Sequence, residues 1–487
     1  MRRSLHPIHT TTCATPTGLG KTLAAGAGGE LWMPTSTPWD SSSVIEGGEA
    51  QVLTASLAVA MEHSRSRQLQ MLRKQFRARC ENCKLPAPPL NAFERWLLLN
   101  KWHEPQSDEP VLPTSKVATP ADAALVADLL RAGMDTANAD ALVRKLRADA
   151  IRAAAAIRSG AQHSGADARI RRSPPIGGVV HLSYGDADAD VDGDADGEEG
   201  ATDDEAGGTG LSSRVCVTTE CLDKLCALHS RSQGGASDAP IDKDDLLKRV
   251  LACLLRYQSI GGLGFQAALG APVFCALQTR FACNFEVFAS PLNCFYGAFC
   301  SAYADVDRPF GSHGSFSDFC PLRGSYQANP PFVATIIDAM SARLLMLVAD
   351  AQAADRPLSF VVVLPGWTDC DGYNQLLSAA PLLRRTLLVA AADHGYVDGG
   401  QHTRTRTHRE SPYDTMVFVV QSDAAAARWP ASDEALADIE AAFARCTPSE
   451  EELATVDSTE RVHSGRKRKR RKMKRAGKKT RAWQERG

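Results

Sequence analysis

The sequence has no run of about 18 uninterrupted apolar residues, which excludes an obvious membrane-spanning helix. Its first residues, MRRSLHPIHTTT, lack the apolar stretch of a secretory signal, so an intracellular protein is expected. Zinc-type cysteine spacing is missing as well. Of 14 cysteines, Cys80 and Cys83 form a lone CxxC, and Cys216, Cys221 and Cys226 supply no second pair, so no metal is expected. Many of the others sit in apolar stretches such as LACLL and APVFCAL, where a free thiol packs as a small hydrophobe. That usage favours a reducing compartment. Net charge is nearly absent, at -2, but the average hides opposed blocks. An acidic run around Asp186 to Glu205 is almost cancelled by RKRKRRKMKRAGKKTR, from Arg466 to Arg481.

What is present falls into zones. Residues 1–50 are rich in Thr, Gly, Pro and Ser and are expected to be mostly disordered. Residues 51–175 place apolar side chains at i, i+3, i+4 spacing in several stretches and predict a helical domain, with Thr119 and Asn138 as candidate caps. An acidic insert over 176–212 reads as a solvated loop, and 213–275 continue the helical domain. From 276 to 455 short apolar runs alternate with helical patterns, which predicts an α/β sheet with TMVFVV as a late added strand. Residues 456–487 form the basic tail. So dense a cationic block suits nuclear import and nonspecific nucleic-acid contact through counterion release.

The stretch GSYQANPPFVATII, Gly324 to Ile337, carries the chemistry. The exocyclic amine of adenine is a poor nucleophile because its lone pair is delocalised into the ring. An Asn side-chain carbonyl and the carbonyl of the next Pro can accept both amine hydrogens and so relocalise that pair. Asn329 and Pro330 fill these roles, Pro331 shapes the turn, and Phe332 offers a face for stacking the base. The plain alternative is a strand-to-helix turn in which Asn329 caps the helix and proline opens its first turn.

The surrounding blocks, LLRYQSIGGLGFQAAL, FEVFASPLNCF, FGSHGSFSDFCPLRGSYQANPPF, LSFVVVLPGW and HGYVDGGQHT, resemble the cap-specific adenosine-N6 methyltransferases, also called phosphorylated-CTD-interacting factors. The resemblance runs from about Ser213 to Pro430. It implies a Rossmann-like class I methyltransferase domain over 276–455, preceded by the helical domain, with S-adenosyl-L-methionine as cofactor and capped RNA as substrate. Asn329, Pro330, Pro331 and Phe332 then match the catalytic motif. Ala289, Ser290, Pro291 and Asn293, with Phe310, Gly311 and Ser312, match segments that line the cofactor pocket. Asp305 or Asp307 is the candidate for the ribose hydroxyls. Arg256 and Arg280 are candidates for the RNA groove. The alternatives left open are an internal RNA or DNA adenine as target, and a catalytically inactive RNA-binding scaffold of the same fold.

Two departures from the family stand out. The tryptophans, at 32, 39, 96, 102, 367, 429 and 483, show no pair of WW-domain type, so polymerase-tail binding is not implied. Gly366 in LPGW stands where an acidic residue is expected. Three further motifs are discounted. The P-loop-like stretch Thr15 to Leu23 lacks a good preceding strand, and the calcium-loop match at Asp188, Asp190, Asp192, Gly193 and Glu199 lacks flanking amphipathic helices. His394 and His402, each isolated, read as hydrogen-bonded structural residues.

Overall fold

A computed structural model describes residues 44–45, 53–104, 107–161, 170–184, 214–232, 242–403 and 407–447. The P-loop-like stretch, the acidic run with its calcium-loop match, and the basic tail lie outside the described residues. The elements begin with a two-residue strand, β1 (Val44–Ile45), and four helices, α1 (Ala55–Asn82), α2 (Ala92–His103), α3 (Pro120–Arg131) and α4 (Thr136–Ala161). Strands β2 (Ile170–Arg172), β3 (Val179–Tyr184) and β4 (Arg214–Thr218) follow, then α5 (Thr219–Ser232), α6 (Lys243–Ile260) and α7 (Ala271–Phe281). Among the described residues no helix is long and apolar enough to cross a membrane.

Local chemistry sets the helix starts. Pro120 opens α3, and Thr119 and Asp122 close a capping box, the Asp122 carboxylate accepting from the Thr119 amide at 3.0 Å. The start of α4 differs from the sequence reading. Asp135, rather than Asn138, serves the helix end, its carboxylate accepting from the Asn138 amide at 3.0 Å. An acidic side chain one turn earlier competes better for those free amides because it also meets the helix dipole.

The second half contains α8 (Ala304–Asp307), β5 (Cys320–Pro321), β6 (Gly324–Ala328), α9 (Ala334–Ala353), β7 (Leu358–Pro365), α10 (Asp371–Leu377) and β8 (Leu383–Val389). It ends with β9 (Gly395–Val397), β10 (His408–Glu410), β11 (Thr415–Gln421), α11 (Asp423–Arg428) and α12 (Asp433–Ala444). Its sheet has the order β6-β7-β11-β8, with β7 parallel to β6 and β11 antiparallel to both neighbours. Parallel bridges widen it beyond β6: Glu286 pairs with Gln327 and with Phe299, and Phe299 pairs with Ser312. The result is a mixed α/β sheet in which only β11 runs against the rest.

The central strand β7 is buried along its whole length, as expected of a strand covered on both faces. Phe360, Val362 and Leu364 pack with α9, while Val361 and Val363 face a second core shared with α7 and α12. The period of two divides one run of apolar residues between two cores.

The helical layer is fixed to this sheet by buried charge. The Arg256 guanidinium donates to both carboxylate oxygens of Glu62 at 2.8 and 2.6 Å and to both of Asp305 at 3.1 and 2.7 Å. Arg65 continues the chain, bonding Glu62 and, at 2.7 Å twice, Glu109. Burial alone would raise the Asp305 carboxyl, yet Arg256 beside it holds it below the usual range. Arg256 is therefore corrected as an RNA-groove candidate: its side chain is 0% exposed and its donors are taken by two carboxylates. Replacing Arg256 with Met strips Asp305 of its paired counter-charge and leaves Glu62 with Arg65 alone. The expected loss is about 3–5 kcal/mol of unfolding free energy, read as a lowered urea midpoint. An unchanged midpoint would show that the cluster does not join the two layers.

Candidate active site

Parallel strands that bridge one another present their carboxyl ends on one side, and a pocket opens there. Val287–Ser290, Cys300–Tyr303, Ser315–Ser317 and Asn329 line it from the sheet. The helical layer closes the other side, with Leu97, Lys101 and Trp102 of α2 and Tyr257 and Ile260 of α6. Lys101 is partly desolvated, which lowers its amine from the usual value, with Asp305 pulling the other way.

Asn329 follows the last residue of β6. Its amide nitrogen donates to the Ala267 carbonyl at 3.1 Å, while its Oδ1 is buried with no protein partner. Helix α9 begins later, at Ala334 with Val333 in the capping position, so Asn329 does not cap it. Among the described residues no backbone amide donates to the Pro330 carbonyl, whereas the Pro331 carbonyl accepts from Val333 at 2.7 Å. Two acceptors in sequence are thus left at the strand end, and Asn329 and Pro331 line the pocket. Phe332 is half-buried and packs edge-on against Trp367 and Tyr396, with centroids 6.3 and 5.8 Å away.

Ala289, Ser290 and Asn293 also line the pocket, with Pro291 buried behind them. Asn293 Oδ1 accepts from the Ser290 amide at 2.7 Å and from its hydroxyl at 2.9 Å, and Asn293 Nδ2 donates to the Gln266 carbonyl at 2.8 Å. This loop leads from Glu286 to Phe299 without a helix, a short crossing for parallel strands. Glu286 makes it possible by accepting from the Phe295 and Tyr296 amides at 2.7 and 2.9 Å, and Lys224 donates to the Leu292 and Cys294 carbonyls. Burial pushes the Glu286 carboxyl up to about 7 against the pull of those amides.

Three sequence-derived positions stand behind the wall instead of in it. Phe310 is fully buried beside His229. Gly311 has φ +99°, and a Cβ there would lie 2.8 Å from the Gly297 carbonyl oxygen. Ser312 hydroxyl pairs with Ser301 hydroxyl at 2.7 Å. Ser312 thereby braces Ser301, which does line the pocket. Asp307 is likewise corrected as a ribose ligand: it is fully buried and accepts from the Tyr257 hydroxyl at 2.6 Å. Asp305 is occupied by Arg256. Arg280 lies on α7, outside the pocket lining, and pairs with Asp438 of α12 at 2.6 Å. Gly366 donates its amide to the Asp414 carbonyl at 2.7 Å.

The remaining sequence candidates are structural in their surroundings. His394 is held between the Ala390 carbonyl at 2.8 Å and the Thr415 hydroxyl at 2.7 Å, and the His402 carbonyl accepts from the Thr218 amide. Among the described residues no group of three His, Cys, Asp or Glu is placed to hold a metal ion. The sequence reading missed Gln266, Lys101 and Trp102 as lining residues and Glu286 and Lys224 as loop anchors. An acidic residue inside an apolar strand, as in FEVF, is the signal that could have found Glu286.

Acceptors converging at the carboxyl ends of a mostly parallel sheet, in an apolar pocket, mark a ligand-binding α/β protein. Residues 224–399 match the family model described as Phosphorylated CTD interacting factor 1 WW domain. Over 206 residues, 40% of this chain, the sequence is 36% identical to a Homo sapiens protein named mRNA (2'-O-methyladenosine-N(6)-)-methyltransferase. A Mus musculus protein of the same name is 35% identical over the same length. The chain spans 29% of the length of these relatives. The match corrects the expectation that no WW domain is recognisable and that tail binding is not implied, because the model's description names that domain in a CTD-interacting factor. Trp367 is the one tryptophan within 224–399.

Burial raises the Asp307 carboxyl to about 7. A raised carboxyl binds more protons folded than unfolded, so its contribution to stability is full below about pH 4 and is lost as pH rises through about 7. Asp307→Asn removes that dependence. The melting-temperature advantage of the wild type over the variant is therefore expected to shrink between pH 4.5 and pH 8, and a constant difference would contradict the assignment.

Proposed function

We propose that this protein is an S-adenosyl-L-methionine-dependent methyltransferase that acts on N6 of the cap-adjacent adenosine of capped mRNA. The observation that carries this reading is the buried, unpartnered Asn329 Oδ1 at a strand end, next to an unengaged Pro330 carbonyl. The strand order, with one antiparallel member between β7 and β8, supports a Rossmann-like class I sheet. The relatives' name supports mRNA adenine as the target and adds a 2'-O-methylated ribose.

In this reading Asn329 Oδ1 and the Pro330 carbonyl accept the two amine hydrogens and hold the nitrogen pyramidal, with its lone pair turned into the pocket. Both acceptors are fixed before the substrate arrives, so no reorganisation accompanies the growth of positive charge on the nitrogen. The Ala267 carbonyl keeps the Asn329 amide from flipping, because only its nitrogen end can donate there. Phe332, wedged against Trp367 and Tyr396, supplies an aromatic wall for the flipped base.

The cofactor supplies an electrophilic methyl group when bound. The loop from Ala289 to Asn293, the Ser301–Tyr303 segment and the apolar side chains of α2 fit such a group, polar at one end and flat at the other. The description of the matched family supports a phosphorylated CTD as a further partner, and the basic run from Arg466 to Arg481 supports a nuclear location.

Asn329→Ala tests the reading. It is expected to lower kcat on capped RNA by about 100- to 1000-fold with the melting temperature nearly unchanged. Methyl transfer by the variant at the wild-type rate would sink the proposal.

A further inference from the structure

We propose that the Gln266 carboxamide holds the α-amino-acid end of the methyl donor, an assignment that rests on the methyltransferase reading above. Gln266 closes the short 3-10 turn Leu263–Gln266, entered through Gly261 and Gly262 at φ +65° and +68°. The segment is fixed at three successive residues. The Gln266 carbonyl accepts from Asn293 at 2.8 Å and the Ala267 carbonyl from Asn329 at 3.1 Å. Ala268 exchanges backbone bonds with Val397 at 3.0 and 2.8 Å. Gln266 therefore stands between the loop that carries Ser290 and the asparagine that faces the amine.

The residue lines the pocket, and its Oε1 and Nε2 are shielded from solvent without a protein partner. A carboxamide buried in this way is unfavourable unless a ligand presents a donor beside an acceptor. The cofactor's own adenine does so, but it is set a ribose away from the reacting sulfur, whereas Gln266 adjoins the Ala267 that holds Asn329; two groups nearer the reacting atoms remain. One is the target adenine, whose amine adjoins a ring nitrogen; but both amine hydrogens are taken by Asn329 Oδ1 and the Pro330 carbonyl. The other is the amino-acid end of the cofactor, where an ammonium and a carboxylate share one carbon. There the ammonium donates to Oε1 and Nε2 donates to the carboxylate, so that both orphaned atoms are satisfied by charged partners.

Isothermal titration of the full chain with S-adenosylhomocysteine and with 5'-methylthioadenosine, which lacks the amino-acid end, tests this. Gln266→Leu is expected to bind S-adenosylhomocysteine about 10- to 100-fold more weakly than wild type. Its affinity for 5'-methylthioadenosine should stay unchanged, which also reports an intact pocket. The inference is overturned if both ligands weaken equally. It is also overturned if S-adenosylhomocysteine binding is unchanged while the KM for capped RNA rises, since the amide then serves the target base. Failure of the wild type to bind either nucleoside would instead overturn the methyltransferase reading beneath it.

Discussion

Arg256 is the constraint on which the rest of the structure depends. Its guanidinium forms paired bonds to Glu62 on one helix and to Asp305 in the segment after Phe299; Arg256 and Glu62 are fully buried and Asp305 is partly so. The desolvation cost of three such groups is large, and only their mutual geometry offsets it. A neutral pair of apolar side chains could hold the layers together as well, but would not fix the angle at which the Ser301–Tyr303 wall meets α2 and α6.

From that joint the pocket follows. The helical layer supplies one wall and the strand ends the other, so neither half forms the site alone. Within it, polar side chains of the wall are held by protein partners: Asn293 by Ser290 and Gln266, Ser301 by Ser312. Among the residues that line the pocket, the buried side-chain atoms without a protein partner are Asn329 Oδ1 and both ends of the Gln266 amide. A rigid wall with a few open valences is the arrangement that catalysis by preorganised acceptors requires.

How much of this the sequence reveals depends on distance along the chain. The strands β7 and β11 are legible in LSFVVVLP and TMVFVVQ because a strand buried on both faces must be apolar throughout. The motif from Asn329 to Phe332 is legible because its working atoms are contiguous. The partners of Arg256 are not: Glu62 and Asp305 lie 194 and 49 residues away, and periodicity carries no information about that pairing. Asp307 and Ser312 fall near the right strands, but that both stand behind the pocket wall is decided by bridges of single residues and by the positive φ of Gly311. Gln266 escaped notice because a lone polar residue after a glycine pair reads as a surface turn, and only packing shows its amide to be enclosed.

The central claim of the proposed reading is that the strand-end acceptors direct methyl transfer from the cofactor to one particular amine. It is tested most directly by incubating the purified protein with isotopically labelled S-adenosyl-L-methionine and a capped RNA whose first nucleotide is 2'-O-methyladenosine, then analysing the released nucleosides by mass spectrometry. The account predicts label on N6 of that first adenosine, with much lower incorporation on the same RNA without its cap. Label at internal adenosines, equal turnover on uncapped RNA, or no incorporation at all would contradict it.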